Sequence, residues 1–230
     1  AEYLSVINKE SNNLFAELVF RAVGRAAEGV GTPEASARAV SQALYEIGVD
    51  TAGIVQHDGS GLSEGNRVSA RAFVQIIDGM SESPLWPEYW ASLPRAGTRR
   101  ELRRMYQTAA AGNLRAKTGT IEGVSALSGM VRSADGERLA FSLLFNGSRS
   151  QSQAKNVENQ IGARLAEFRR SPGMVPDITP KNLPLTGPAT VLADRHRIAR
   201  GENISGIAIR YGVSVEELLR LNPRVEANRI

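Results

Sequence analysis

In the first part of the chain, apolar side chains recur every three or four positions, which is the spacing of amphipathic helices. Thr32 and Pro33 occupy the cap and first-turn positions of one such helix, which Gly48 ends. Another helix is expected over about 69–80. The earliest helix follows Ser11, and we expect it to bury one apolar face, made of Leu14, Phe15, Leu18, Val19, Ala22 and Val23.

From Gly112 onwards the pattern is typical of β-strands. Three runs alternate or are continuously apolar, and a turn at 133–136 separates the last two: LRAKTGTI, VSALSGMVRS and RLAFSLLFN. Helices followed by an antiparallel three-stranded meander and a covering helix predict an α+β fold. The expected buried stripe of that last helix is Ala154, Val157, Ile161, Leu165 and Phe168.

Proline then dominates residues 171–195, which hold half of the chain's ten prolines. Proline lacks an N–H and disfavours a helix in the residue before it, so this stretch predicts an extended linker. Beyond it, residues 196–230 show a short strand and turn followed by two short helices. We therefore divide the chain into a domain at 1–170, a linker at 171–195 and a small module at 196–230.

The composition excludes several kinds of chemistry. The 230 residues include no Cys and two His, which excludes thiolate nucleophiles, disulfides and a histidine-rich metal site. The net charge of +4 comes almost entirely from arginine. The densest basic cluster has no interleaved aromatics, so we interpret it as a solvated helix face and not as a nucleic-acid site. Its members are Arg99, Arg100, Arg103 and Arg104.

Two short motifs carry candidate chemistry. Ser11-Asn12-Asn13 stands at a helix start and Lys117-Thr118-Gly119 on a later strand, the order of the S-x-N and K-T-G elements of penicillin-binding proteins. The segments around them are NKESNNLFAEL, HDGSGLS, LPRAGTRRELRR and LRAKTGTIEGVSALSGMV. Over about 5–165 the sequence resembles the D-alanyl-D-alanine carboxypeptidase/endopeptidase family of serine penicillin-binding proteins, peptidase family S13.

The resemblance implies a partial β-lactamase/transpeptidase-like fold and hydrolysis of D-Ala-D-Ala peptides of peptidoglycan through an acyl-serine intermediate. Ser11 would pass a proton towards the leaving amine, and Asn13 would offer its amide to the substrate backbone. Lys117 would place positive charge beside the serine. The resemblance implies no metal and no organic cofactor.

The same resemblance implies four substrate-binding residues. Thr118 would bind the terminal carboxylate of the substrate, next to Gly119. The backbone N–H of Thr120 would supply half of an oxyanion hole. Ser60 belongs to the HDGSGLS loop, which the resemblance places near the site; an ordinary glycine-rich turn is the alternative.

One family element is absent from these 230 residues. The family nucleophile belongs to an S-x-x-K motif that precedes S-x-N, and none occurs before Ser11. The only S-x-x-K, from Ser152 to Lys155, follows K-T-G and is in the wrong order; there Ser150 or Ser152 is expected to cap the last helix instead. We therefore expect a fragment that lacks the N-terminal half of the catalytic domain and does not turn over substrate alone.

The C-terminal module carries a second resemblance. HRIARGENISGIAIRYGVSVEELLRLNP is similar to LysM domains, small βααβ modules that bind N-acetylglucosamine-containing glycans. The family's last strand would begin where the sequence stops, so we expect a truncated and marginally stable module. The implied glycan contacts are Gly201, Glu202, Asn203, Ile204, Asn222 and Pro223.

Together these features predict a serine-type D-Ala-D-Ala carboxypeptidase/endopeptidase tethered to a glycan-binding module, outside the cytoplasm in the periplasm or cell wall. Its expected partners are peptidoglycan stem peptides and glycan, β-lactam antibiotics and the missing N-terminal half, with no nucleic acid. Two alternatives are a non-catalytic peptidoglycan-binding protein and a β-lactamase.

Overall fold

In a computed structural model the chain forms two compact units, Ala1–Val175 and Pro176–Ile230. The structure describes residues 2–170 and, in the second unit, Ile204, Val215, Leu219 and Arg220. The expected linker and most of the expected glycan contacts lie outside the described residues. Ile204 is helical and buried.

The first unit combines six helices with one three-stranded sheet among its described residues, which confirms the α+β prediction. The antiparallel strands follow the order β1-β2-β3. Helix α6 packs against β2 and helix α4 against β3. The elements are α1 Glu2–Glu10, α2 Asn13–Glu28, α3 Pro33–Glu46, α4 Ala70–Ser81, α5 Trp86–Ser92, β1 Arg115–Ile121, β2 Val124–Arg132, β3 Arg138–Phe145 and α6 Gln151–Glu167.

Local capping signals predicted the helix starts well. Thr32 caps α3 with Pro33 in its first turn, and the Ser69 side chain caps α4. The cap of α2 is Asn12 and not Ser11. Helices α1 and α5 were not predicted; α5 is one short segment whose start has no side-chain cap.

The buried face predicted for α2 is wrong. Leu14 is 65% exposed and Leu18 is 55% exposed, while Phe20 and Gly24 are buried instead. The reason is close packing on α3: a Cβ at Gly24 would lie 2.4 Å from the Ser36 Oγ atom. We call the exposed side of this helix the apolar face of α2; it consists of Leu14, Leu18, Val19, Ala22 and Val23.

The stripe predicted for α6 is only partly correct: Ala154 is buried and Leu165 packs against the core, but two of its members are exposed. Val157 and Phe168 are each 41% exposed. The buried positions include Glu158, whose carboxylate accepts hydrogen bonds from Ser125 Oγ at 2.7 Å and from Arg104 Nη1 at 2.7 Å. A charged residue is usually assigned to the solvent side, so periodicity misplaces the buried face. That face is Ala154, Glu158, Gly162 and Ala166.

The arginine cluster does not lie on a helix, contrary to our interpretation. It belongs to the irregular segment 94–114, which passes along the outer edge of β1. Arg99, Arg100 and Arg103 are exposed as expected, but the Arg104 side chain is only 16% exposed because it is paired with Glu158. The segment is fixed by long-range contacts, which a local pattern does not reveal.

Candidate active site

Ser11 occupies the junction between α1 and α2. Its backbone is left-handed, with φ of 52°, a conformation that is uncommon for residues other than glycine. Asn12 then starts α2 by accepting a hydrogen bond from the Phe15 N–H at 2.9 Å. Ser11 Oγ accepts a hydrogen bond from the Nζ atom of Lys117, a residue far away in sequence. The fold thus brings the two sequence motifs into direct contact.

Lys117 lies in the middle of β1 with its side chain partly buried. Its Nζ atom also donates to the Thr118 carbonyl at 2.7 Å. Burial lowers the pKa of the Lys117 ammonium group. Within residues 2–170 no carboxylate forms an ion pair with it. A lysine with a lowered pKa in contact with a hydroxyl can exchange a proton with that hydroxyl.

The outer edge of β1 is covered only in its first half. The Ala116 N–H donates to the Pro94 carbonyl at 3.0 Å, and the Ala96 N–H donates to the Leu114 carbonyl at 2.9 Å. Successive residues of an antiparallel strand direct their backbone N–H groups to opposite edges. Since the Ala116 N–H points to the outer edge, the N–H groups of Thr118 and Thr120 point to it as well. Gly119 and Thr120 are exposed. The described part of the unit therefore leaves an open strand edge next to Lys117.

Ser60 belongs to a loop organised around Asp58. The Asp58 carboxylate accepts bonds from Ser60 Oγ at 2.7 Å and from Asn66 Nδ2 at 2.7 Å, and from three backbone N–H groups. Burial raises the pKa of Asp58, but these hydrogen bonds outweigh it and the net pKa is lowered. The loop is bound to α2 through the Gly59 N–H and Glu17 Oε2, at 2.7 Å. The described contacts of Ser60 stay within this loop, so its contact with substrate remains a prediction.

The two remaining candidates, Asn13 and Ser152, each lie in the first turn of a helix. Asn13 is the first residue of α2 and is exposed. Ser152 lies in the first turn of α6, where Ser150 caps the helix by accepting from the Gln153 N–H at 3.3 Å. The Oγ atoms of Ser150 and Ser152 are 3.0 Å apart. This confirms the cap expected at Ser150.

The sequence analysis missed four residues that connect α1 to α5 and to the segment 94–114. Asn8 Nδ2 donates to Ser92 Oγ at 2.7 Å, and Lys9 Nζ forms an ion pair with Glu101 Oε1 at 3.0 Å. Lys9 carried one weak signal, since it is one of only four lysines. Glu101 carried none, because it is surrounded by arginines in an irregular segment.

Metal and membrane features can be assessed for the described residues. Among them, no cluster of three or more His, Cys, Asp or Glu side chains could hold a metal ion. No helix in the same part of the chain has the length and apolar character needed to cross a bilayer.

Comparison with known proteins agrees with this geometry. Residues 1–168 match the model of the D-Ala-D-Ala carboxypeptidase 3 (S13) family. The chain belongs to this family. A LysM domain match follows at 196–230, so the S13 domain is succeeded by a LysM domain. Both resemblances inferred from the sequence motifs are confirmed.

The S13 relatives are longer than this chain. This chain is 45% identical over 175 residues to a D-alanyl-D-alanine carboxypeptidase of Actinomadura sp. (strain R39). The match covers 73% of this chain and 32% of the relative. The chain thus spans about a third of that relative's length.

Solved structures support the predicted fold class. Penicillin binding protein 4 from Haemophilus influenzae, complexed with a novel β-lactam, superposes with a TM-score of 0.66 at 24% identity, covering 73% of this chain and 41% of that one. The TLA-1 extended spectrum β-lactamase gives a TM-score of 0.50 at 19% identity, covering 72% and 60%. At these identities the likeness shows the fold alone.

Proposed function

We propose that residues 1–168 form part of the active site of a serine-type D-Ala-D-Ala carboxypeptidase/endopeptidase. The observation that carries this proposal is the contact between Ser11 Oγ and Lys117 Nζ beside an open strand edge. S13 membership supports the same reaction class.

Ser11 and Lys117 are suited to proton transfer. Ser11 relays a proton towards the amine that leaves when the D-Ala-D-Ala bond is cleaved. Lys117 supports this relay because its ammonium group has a lowered pKa and directly contacts the hydroxyl. General acid–base assistance of this kind contributes about 10²–10⁴-fold to a reaction rate.

The open edge of β1 receives the peptide. An extended substrate adds to a strand edge by backbone hydrogen bonds, and the outward N–H groups of Thr118 and Thr120 are oriented for this. The Thr120 N–H stabilises the oxyanion, while the Thr118 hydroxyl binds the terminal carboxylate beside Gly119. Asn13, at the start of α2, contributes its exposed side-chain amide to the substrate backbone.

The nucleophile in this proposal belongs to a segment outside these 230 residues. Ser152, in the only S-x-x-K of the sequence, takes part in the capped first turn of α6 and is not in contact with Ser11 or Lys117 among the described residues. The apolar face of α2 is the surface on which we expect that segment to pack. Exposed contiguous apolar patches of this kind commonly mark interaction surfaces.

A chimera tests the proposal directly. The matched region of the Actinomadura carboxypeptidase is replaced with residues 1–168 of this chain, and release of D-alanine from a D-Ala-D-Ala peptide is measured. We expect an active chimera whose kcat/KM falls about 10²–10⁴-fold with Ser11→Ala or Lys117→Ala. Ser152→Ala is the control and leaves the rate unchanged.

Two outcomes would contradict the proposal. One is a folded chimera without activity, or one whose activity survives both substitutions. The other is a penicillin adduct on Ser152 of the 230-residue chain, detected by intact-protein mass spectrometry and peptide mapping, since we expect no adduct on this chain alone.

The LysM domain supports a location at the cell wall, and we propose that the protein acts there, outside the cytoplasm. The domain would bind the glycan of peptidoglycan through Gly201, Glu202, Asn203, Ile204, Asn222 and Pro223. Because the linker at 171–195 joins the two domains, this binding would raise the effective concentration of the S13 domain near peptidoglycan. β-Lactams would bind as substrate mimics. A purely binding role is less well supported, because it does not require the contact between Ser11 and Lys117. A β-lactamase would share the fold and the K-T-G strand, but the S13 match and the LysM domain favour the peptidase.

A further inference from the structure

Helix α1 is joined to its neighbours by half-buried apolar side chains and by two polar contacts from its last turn. It is the element that ends immediately before Ser11, yet none of its residues is buried. Leu4, Val6 and Ile7 are only half-buried, so apolar packing leaves part of its position to polar contacts. Its described long-range contacts include an edge-to-face pair between the Tyr3 and Phe15 rings, 5.7 Å apart, and two polar ties from its last turn.

The first tie joins Asn8 to α5. Asn8 Nδ2 donates to Ser92 Oγ at 2.7 Å, and Ser92 Oγ donates in turn to the Tyr89 carbonyl at 2.7 Å. Ser92 is 1% exposed, so its hydroxyl is fixed by this pair of bonds. Arg115 of β1 binds the end of the same helix, where its Nη1 atom donates to the Leu93 carbonyl at 3.1 Å.

The second tie joins Lys9 to the segment beside β1. One oxygen of the Glu101 carboxylate accepts from Lys9 Nζ at 3.0 Å, and the other accepts from the Arg95 N–H at 2.7 Å. Residues 94–96 are hydrogen-bonded to β1 just before Lys117. Burial raises the pKa of Glu101, but Lys9, the Arg95 N–H and the charge of Arg115 outweigh it, and the net pKa is lowered.

Both ties start within three residues of Ser11 and end on elements bound to β1 next to Lys117. We propose that Asn8 and Lys9 are positioning residues that, through Ser92 and Glu101, hold Ser11 against Lys117. This role rests on the proposed function of the Ser11–Lys117 pair. The ties set the width of the cleft between the helices and the strand edge, and so decide how far Lys117 is shielded from water.

The titration of Lys117 tests this role without any substrate. The full chain labelled with ¹³Cε-lysine gives one NMR signal for each of four lysines, and Lys117→Arg identifies the signal of interest. Widening the cleft would hydrate the ammonium group and raise its pKa. We expect Asn8→Ala and Glu101→Gln each to raise the midpoint by about half a pH unit or more.

The two variants separate positioning from simple charge effects. Asn8→Ala changes no charge. Glu101→Gln removes a negative charge, which by direct electrostatics would lower the lysine midpoint, so a rise can come only from movement. Lys9→Arg keeps the ion pair and is expected to behave as the native chain. Glu28→Gln is the matched control, because it also removes one negative charge but breaks a different ion pair, the one with Arg38.

Several results would overturn the proposal. They are an unchanged midpoint in folded Asn8→Ala, a lowered midpoint in Glu101→Gln, or an equal rise in Glu28→Gln. Fluorescence of Trp86 and Trp90 reports whether each variant is folded, and if one fails to fold the other decides, since the two ties are separate. An inactive chimera would count against the proposed reaction and leave this titration result standing.

Discussion

At the scale of one residue, the partial burial of Lys117 lowers the stability of the folded state while it prepares the ammonium group for proton transfer. Its ammonium group is partly desolvated, and the Ser11 hydroxyl that it contacts belongs to a left-handed residue. Strained residues and desolvated charges each disfavour the folded state, by an amount of order 1 kcal/mol. Such features persist where the surrounding structure holds them, and they are concentrated at functional sites.

The lowered pKa gives a prediction about stability and pH. Between the folded-state pKa of Lys117 and the ordinary lysine value of about 10.4, the unfolded chain binds more protons than the folded one, so stability from this group rises with pH. We expect Lys117→Met to be as stable as the native chain or more stable at pH 7, and to lose that advantage as the pH approaches the ordinary lysine pKa.

Denaturant unfolding followed by the fluorescence of Trp86 and Trp90 measures this difference, because both tryptophans lie in α5 of the first unit. Lys155→Met is the matched control for loss of a lysine charge. A free-energy gap between Lys117→Met and the native chain that stays constant from pH 7 to pH 10 would contradict the prediction.

At the scale of elements, the β1–β2 pair depends on one glycine. Gly129 of β2 is paired with Ala116 of β1, and a Cβ at position 129 would lie 2.1 Å from the Arg115 carbonyl oxygen and 2.6 Å from the Ala116 Cα atom. These neighbours are backbone atoms of the strand that carries Lys117. They cannot move aside without displacing that strand.

We therefore expect Gly129→Ala to destabilise the first unit by about 1–3 kcal/mol, the usual cost of overpacking. Tryptophan-monitored unfolding in denaturant gives the value. Ser128→Ala, the neighbouring control, removes a 2.8 Å contact with Ser142 Oγ and should cost no more than about 1 kcal/mol. Equal stability of Gly129→Ala and the native chain would show that β1 and β2 pair less closely than described.

At the scale of the whole molecule, the contacts of the first unit continue to its final described residue. The Arg170 N–H donates to Asp135 Oδ2 at 2.8 Å, and the Arg170 guanidinium pairs with Glu137 at 2.6 Å. The Phe168 carbonyl accepts from the Ala134 N–H at 2.9 Å. These bonds fasten the end of the S13 domain to the turn between β2 and β3.

A truncation tests whether the two units are energetically independent. We expect a chain of residues 1–170 to unfold at the same denaturant concentration as the full chain, and to lose co-sedimentation with purified peptidoglycan because the LysM domain is gone. Arg170→Ala in the truncated chain should lower the free energy of unfolding slightly, because it removes the ion pair with Glu137. A lower midpoint for 1–170 itself would contradict energetic independence, and retained co-sedimentation would show that the first unit also binds peptidoglycan.

The sequence by itself determined the features that neighbouring residues encode. The cap at Thr32, the helix over about 69–80, the turn at 133–136 and the K-T-G strand depend on local backbone preferences, and all appear where predicted. The motifs around Ser11 and Lys117 likewise sufficed to indicate the S13 family, because the order of such elements is written in the chain.

Only the tertiary structure decided which faces are buried and which polar groups meet. Periodicity placed Leu14 in the core, where it is not, and did not include Glu158 in the buried stripe of α6, although Glu158 is 1% exposed. The close approach of α3 at Gly24 and the bonds from Arg104 and Ser125 to Glu158 come from residues distant in sequence. The pairing of Lys9 with Glu101 has the same origin. Burial is a property of long-range partners, and a local pattern does not contain them.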